Sequence, residues 1–194
     1  MLFVLLRIDM RVISGSARSL KLKTLEGLDT RPTTDRIKET LFNMIQNDIY
    51  GCSFLDLFSG SGGIGIEALS RGATQCVFVD NNPKAVDVIN DNLEFTKLQE
   101  NAVVLNKSYE LAIAMLEDQN YSFDVVFMDP PYDKGLEKNV LELLKKSVII
   151  NNDTIIIVEA SLDTNFDYLD SLGFVLYKEK TYKTNKHLFI KKVN

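Results

Sequence analysis

Short apolar runs alternate along this chain with stretches whose apolar residues recur every three or four positions, and that alternation predicts its elements. A β-like stretch at residues 11–14 comes first. A turn-rich segment leads to Arg31-Pro32-Thr33-Thr34-Asp35, where Thr33 or Thr34 can cap a helix running to about residue 47, with Ile37, Leu41, Met44 and Ile45 at helical spacing. Strands are predicted at residues 54–58, 76–79, 102–105, 123–128 and 154–158. Helices fall between them: after a glycine loop to about residue 71, from Pro83 with Ala85, Val88, Ile89 and Leu93 inward, near 110–116, and at 136–146. The run at 123–128 is apolar almost throughout, as in a strand covered on both faces. Residues 165–172 read as one more helix, ended by Gly173. The last two β-runs, 174–180 and 187–191, are joined by too few residues for a right-handed crossover, so they pair as an antiparallel hairpin.

This order predicts an α/β fold: a doubly wound, mostly parallel, seven-stranded sheet with a C-terminal antiparallel hairpin and a small N-terminal extension. Residues 1–50 would form the extension and residues 51–194 the ligand-binding domain. Ligands of such sheets sit at the carboxyl ends of the strands, near the switch point. The residues that follow the first four strands are therefore the first places to look for chemistry.

Composition narrows the classes. A chain of 194 residues with 45% hydrophobic and 25% charged residues is a globular protein of about one domain. No stretch is long and apolar enough to span a membrane, and residues 2–6 are too short for a signal-peptide core, so a cytoplasmic protein is expected. Met10 opens a segment that reads as a start of its own, with residues 1–9 an upstream extension or a lengthened first strand. Cys52 and Cys76 have no C-x-x-C spacing, and His187 is the single histidine, which leaves zinc sites and Ser/His/Asp or Cys/His catalysis without support. No metal is expected. The net charge of −5 is unevenly spread: residues 11–40 carry +3 and residues 175–194 carry +5, around an acidic middle of −13. Basic ends on an acidic body can be RNA-contacting faces or ordinary solvated ones.

Two motifs carry chemistry. The first is Leu55-Asp56-Leu57-Phe58-Ser59-Gly60-Ser61-Gly62-Gly63-Ile64-Gly65, a strand, loop and helix start. Gly60, Gly62 and Gly65 match G-x-G-x-x-G, and Asp80 stands 20 residues after Gly60, where it can take ribose hydroxyls. The string alone fits a dinucleotide as well as S-adenosylmethionine. Asp56 tilts it towards the latter, because a carboxylate suits a cationic methionine moiety and repels a pyrophosphate. Asp80 could instead cap the helix at Pro83, a task Asn82 can also perform. After the third strand, Ser108 could bond an adenine amino group or serve as a helix cap.

The second motif, Asp129-Pro130-Pro131-Tyr132, ends the fourth strand. An exocyclic amino nitrogen on a base is a poor nucleophile, since its lone pair is delocalised into the ring. Acceptors for its N–H groups pull it towards tetrahedral geometry. Asp129 and a prolyl carbonyl offer such acceptors, the prolines stiffen the loop without competing N–H donors, and Tyr132 offers a face for an extruded base. Positive charge developing on nitrogen would meet Asp129. A nicotinamide oxidoreductase has no use for this motif.

With these parts assembled, the chain resembles the bacterial 16S ribosomal RNA guanine-N2 methyltransferase family of the D type, from Met10 onwards. The residues that carry the resemblance are M-R-V-I-S-G at 10–15, T-R-P-T-T-D-R at 30–36, E-T-L-F-N at 39–43, L-D-L-F-S-G-S-G at 55–62, E-A-L-S-R-G-A at 67–73 and D-P-P-Y at 129–132. The segment at 30–36 discriminates, since many amino-methyltransferases share the other two motifs. The resemblance implies a class I methyltransferase, Rossmann-like fold and S-adenosylmethionine as cofactor. The implied reaction is transfer to N2 of one guanine of 16S ribosomal RNA within a small-subunit particle. The implied site comprises Asp129, Pro130 and Tyr132 at the reacting amino group and Asp56, Phe58, Gly60, Gly62, Asp80, Asn81 and Ser108 around the cofactor. On the RNA side it adds Arg31, Thr33, Asp35 and Arg36 from the N-terminal segment. Ser108 departs from the acidic residue frequent at its place, and Tyr132 replaces a frequent phenylalanine. A monomer is expected. The alternatives are an adenine-N6 or cytosine-N4 methyltransferase, an NAD-dependent oxidoreductase and a non-catalytic RNA-binding module.

Overall fold

A computed structural model of the chain describes residues 10–25, 34–132 and 134–193. Seven strands form one sheet: β1 (Ser53–Leu57), β2 (Gln75–Asp80), β3 (Ala102–Asn106), β4 (Val125–Met128), β5 (Ile155–Ser161), β6 (Phe174–Thr181) and β7 (Asn185–Lys192), in the order β3-β2-β1-β4-β5-β7-β6. The first five run parallel, and β7 is antiparallel to both β5 and β6. The predicted doubly wound sheet with its terminal hairpin is borne out. The chain direction of the order reverses between β1 and β4, which places the switch point beside the glycine loop and the D-P-P-Y motif.

Among the described residues, six helices cover the sheet: α1 (Asp35–Met44), α2 (Gln46–Ile49), α3 (Gly63–Ser70), α4 (Pro83–Thr96), α5 (Tyr109–Asp118) and α6 (Leu136–Lys146). Strand side chains alternate between two cores, as a period of two requires. Phe54, Phe78, Phe127, Ile157 and Phe189 pack under α1, α3, α4 and residues 10–22. Leu55, Val77, Val126, Ile156 and Leu188 pack under α5 and α6.

Three elements differ from the sequence reading. Residues 11–14, expected to be β-like, form no strand beyond an isolated antiparallel bridge of Arg11 to Lys21. The single helix predicted to residue 47 is broken at Ile45 (φ −118°, ψ 18°), so that α1 gives way to the short α2. The kink lets both Ile45 and Ile49 turn inward, each at most 2% exposed. The helix predicted at 165–172 is absent, apart from one 3₁₀ turn at Asp170–Leu172. The Asn165 side chain accepts from the Asp167 N–H at 2.6 Å and donates to its carboxylate at 2.7 Å. Such local bonds offer the backbone an alternative to the helix, while Phe166 and Leu169 still reach the core.

Residues 10–25 are stitched to the domain by buried polar contacts. Glu67 of α3 accepts from the N–H groups of Ile13 (2.7 Å) and Ser14 (3.0 Å) and from Arg71 (2.7 Å), and lies 3.4 Å from Lys38 of α1. Lys38, fully buried, also donates to the Arg11 carbonyl. Burial lowers the Lys38 pKa, opposed by the charge and hydrogen bond of Glu67 and by Asp35, while Arg71 lowers it further.

Candidate active site

The carboxyl ends of β3, β2, β1 and β4 stand side by side, and ten of the fourteen residues singled out in the sequence lie on them or on the loops that follow. Phe58 and Gly60 take positive φ (62° and 56°), which turns the chain sharply after β1, and a Cβ at Gly60 would meet open space. Gly62 is the left-handed cap from which α3 starts. Gly65, the third glycine of the pattern, has a packing reason instead. A Cβ there would lie 2.3 Å from the Phe78 ring and 2.7 Å from the Cys76 sulfur, so α3 rests on β2 only because this residue has no side chain.

Asp80 ties the two ends together. One carboxylate oxygen accepts from the Gly60 N–H at 2.9 Å and the other from the Asn82 N–H at 2.9 Å. It does not cap α4: Asn82 does, accepting from the Lys84 N–H at 3.0 Å. Asn81 is exposed beside it. Asp56 is 1% exposed and accepts from the Gly65 N–H at 3.0 Å. Burial pushes its carboxyl up to about 7, against the pull of that hydrogen bond, with a smaller push from Asp80. It organises the loop from beneath and presents no open carboxylate to the crevice. Phe58 packs on Tyr109 with ring centroids 5.6 Å apart, which joins the glycine loop to the start of α5. Ser108 occupies the N-cap position of α5 without making a side-chain cap bond. Its hydroxyl bonds Glu110, and that bond is the leading reason the Glu110 carboxyl lies below its ordinary range.

Asp129 sits just beyond β4, its N–H directed at the Leu57 carbonyl at 3.5 Å, so it stands next to the glycine loop. Burial holds its carboxyl well above the usual carboxylate range, and the charges of Glu159, Asp56 and Glu137 add to the effect. Pro130 is buried behind it, and Tyr132 lies on the surface with 40% of its area exposed. On the N-terminal side, Asp35 forms an ion pair with Arg11 at 2.6 Å and Arg36 is exposed. Arg31 and Thr33 lie outside the described residues.

Sequence reasoning missed two parts of the site. Ser59 is buried where the loop leaves β1. Its hydroxyl donates to the Asp56 carbonyl at 2.6 Å and accepts from the Val79 N–H at 2.9 Å. Glu159 stands alone as a charge in Ile155–Ser161, and that isolation was the available signal.

Residues 10–191 match the family described as Conserved hypothetical protein 95. The chain belongs to this family. Among its relatives is the Ribosomal RNA small subunit methyltransferase D of Haemophilus influenzae, 36% identical over 174 residues, which cover 89% of this chain and 89% of that protein. The protein of the same name from Escherichia coli is 32% identical over 172 residues, covering 89% and 84%. The solved Escherichia coli protein yhhF superposes with a TM-score of 0.82 at 31% identity, over 95% of this chain and 98% of that one. The resemblance read from residues 10–15, 30–36, 39–43, 55–62, 67–73 and 129–132 is thus borne out.

Proposed function

We propose that this chain is an S-adenosylmethionine-dependent ribosomal RNA methyltransferase that acts on the exocyclic N2 amino group of a guanine in 16S ribosomal RNA. The observation that carries the reading is Asp129, a half-buried carboxylate in a proline-walled loop, beside a glycine loop organised by Asp56 and Asp80. The crevice suits the cofactor. Gly60 leaves room for a close approach, the carboxylate oxygens of Asp80 keep free lone pairs for ribose hydroxyls, and Phe58 with Tyr109 offers an aromatic wall. Asn81 and Ser108 complete the cofactor side. When bound, S-adenosylmethionine supplies an electrophilic methyl group on a sulfonium sulfur.

The chain's own residues do the rest. Asp129 and the Pro130 carbonyl accept hydrogen bonds from the target amino group and direct its lone pair at the methyl carbon. Positive charge developing on the amino nitrogen as it is methylated would lie beside the Asp129 carboxylate. The nitrogen then sheds a proton, and the raised proton affinity of Asp129 suits it to receive one. Tyr132 stacks on the extruded base. Residues 1–50 serve as the RNA-facing part, with Arg31, Thr33 and Arg36 as contacts. Asp35, engaged by Arg11, orders that segment. The reading includes a monomer working in the cytoplasm on a small-subunit particle.

The test is transfer of labelled methyl groups to small ribosomal subunits that lack the modification, followed by nucleoside analysis. N2-methylguanine is the expected product. N6-methyladenine or N4-methylcytosine would overturn the choice of base, and tight binding of NADH with none of S-adenosylmethionine would overturn the class.

A further inference from the structure

We propose that Glu159, clamped by His187 and Asn185, is a positioning residue that tunes the charge of Asp129 and thereby the pH range over which methyl transfer runs. This rests on the reading of Asp129 as the acceptor at the target amino group.

Glu159 lies near the end of β5, 5% exposed, in an otherwise apolar run. The parallel register pairs Met128 with Val158, which sets Asp129 beside Glu159 at the carboxyl edge of the sheet. The antiparallel register pairs Glu159 with His187 across β7. His187 Nε2 lies 3.0 Å from one Glu159 oxygen, and the Asn185 amide donates to the other. The imidazole is fully buried, edge-on to Phe127, and its Nδ1 lies 3.3 Å from the Tyr182 hydroxyl. The only histidine of the chain is therefore fixed in place behind the reacting carboxylate.

A buried carboxylate–imidazole contact of this kind is often no more stabilising than a well-packed apolar pair, so stability alone gives it little reason to be there. Its neighbours supply one. The charges that reach Asp129 come from Asp56 on β1, Glu137 on α6 and Glu159 on β5, all of one sign. Of the three, Glu159 has the largest influence, and it alone pairs with a titratable partner among the described residues, through β7. Tyr182, at the hairpin turn, also feels Glu159, although burial is the main reason its hydroxyl is raised to about 12. Burial does most to raise the proton affinity of Asp129, Glu159 adds the largest charge effect from β5, and β7 holds Glu159 at the position from which it acts.

Carbon-13 NMR of protein labelled at the aspartate carboxyls, with Asp129 assigned by its loss in Asp129→Asn, reads this directly and needs no substrate. Glu159→Gln is expected to move the Asp129 midpoint to lower pH by about one pH unit, the effect of removing one close negative charge. The acid limb of the methyl-transfer rate is expected to move the same way. If Glu159→Gln does not fold, the double variant Glu159→Gln with His187→Gln supplies a neutral amide pair, and the same shift is expected of it. An unmoved midpoint in either folded variant overturns the proposal. A wild-type protein that transfers no methyl group to ribosomal RNA overturns the functional reading instead, and leaves the titration result standing.

Discussion

Replacing Glu67 by alanine is expected to be among the most damaging single changes outside the reacting centre. Its carboxylate is buried and serves four donors: the N–H groups of Ile13 and Ser14, the Lys38 ammonium and the Arg71 guanidinium. Removing one partner of a buried ion pair costs about 3–5 kcal/mol, because the other charge is stranded. Here Lys38 would keep only the Arg11 carbonyl. Each orphaned N–H adds about 1–3 kcal/mol unless residues 10–25 lift off and rehydrate. That escape caps the total, so about 5 kcal/mol is expected. For a chain of this size it corresponds to a fall in melting temperature of about 10–20 °C. Urea denaturation and a thermal melt measure both quantities. A second variant isolates the cause: Glu67→Gln combined with Lys38→Met leaves no buried charge and returns one acceptor, so it is expected to regain at least half of the loss. If Glu67→Ala unfolds within about 1 kcal/mol of wild type, or if the double variant is no better than the single one, the account of how the N-terminal segment is held is wrong.

Four further outcomes are expected. Asp129→Asn keeps cofactor affinity in calorimetry but lowers kcat about 10²–10⁴-fold, as loss of a proton acceptor and of charge beside the reacting nitrogen requires; near wild-type turnover would remove Asp129 from the mechanism. Asp56, held at about 7 against an ordinary value of 3.8, binds its proton more tightly folded than unfolded. Its contribution to stability is therefore full below about pH 4 and is lost as pH rises to about 7, so Asp56→Asn, which can still accept from Gly65, should flatten the fall in urea stability between about pH 4 and pH 7. Gly65→Ala forces a methyl group into Phe78 and Cys76, and about 1–3 kcal/mol of destabilisation together with weaker cofactor binding is expected. Arg36→Ala should leave the melting temperature unchanged, weaken RNA binding and reduce the slope of log affinity against log salt by about one; an unchanged slope would take Arg36 out of the RNA interface.

The sheet was legible because parallel strands covered on both faces leave apolar runs that little else produces, as at Val125–Met128. The glycine loop and Asp129 were legible for a related reason: their residue types are demanded by local backbone conformation and by chemistry at one strand end. What the sequence hid depends on pairing at a distance. Nothing near residue 159 says that His187 will face it, since that follows from the β5–β7 register. Likewise, Glu67 reads as an ordinary helix residue until it meets the N–H groups of Ile13 and Ser14, 54 and 53 residues away. The failed helix at 165–172 shows the opposite limit, where an Asn side chain bonding its own turn outweighed a helical spacing of apolar residues.

Asp56, Asp129 and Glu159 follow Phe54, Phe127 and Ile157 at a spacing of two, and those three residues belong to one core, under the layer that carries α1 and residues 10–22. The acidic ends of the strands therefore open on the side where the N-terminal segment lies. Three cationic groups of that segment are committed to ion pairs there: Arg11 to Asp35, Lys38 to Glu67, and Lys23 to Asp91 at 2.7 Å. An RNA phosphate approaching this side meets a frame whose charges are already paired, with Arg36 among the exposed cations. Only a neutral or cationic group suits the carboxylates within. A base extruded from its strand, carrying an amino group that turns cationic during the reaction, meets that requirement, whereas a phosphate at the same depth would be repelled. The charge pattern thus sorts the two halves of a nucleotide, with the backbone held at the rim and the base admitted to Asp129. Placing a cation at the mouth of the site, by Tyr132→Lys, is expected to attract the Asp129 carboxylate, lower its proton affinity and reduce turnover while RNA affinity holds or rises. A variant that bound RNA more weakly with turnover unchanged would contradict this division.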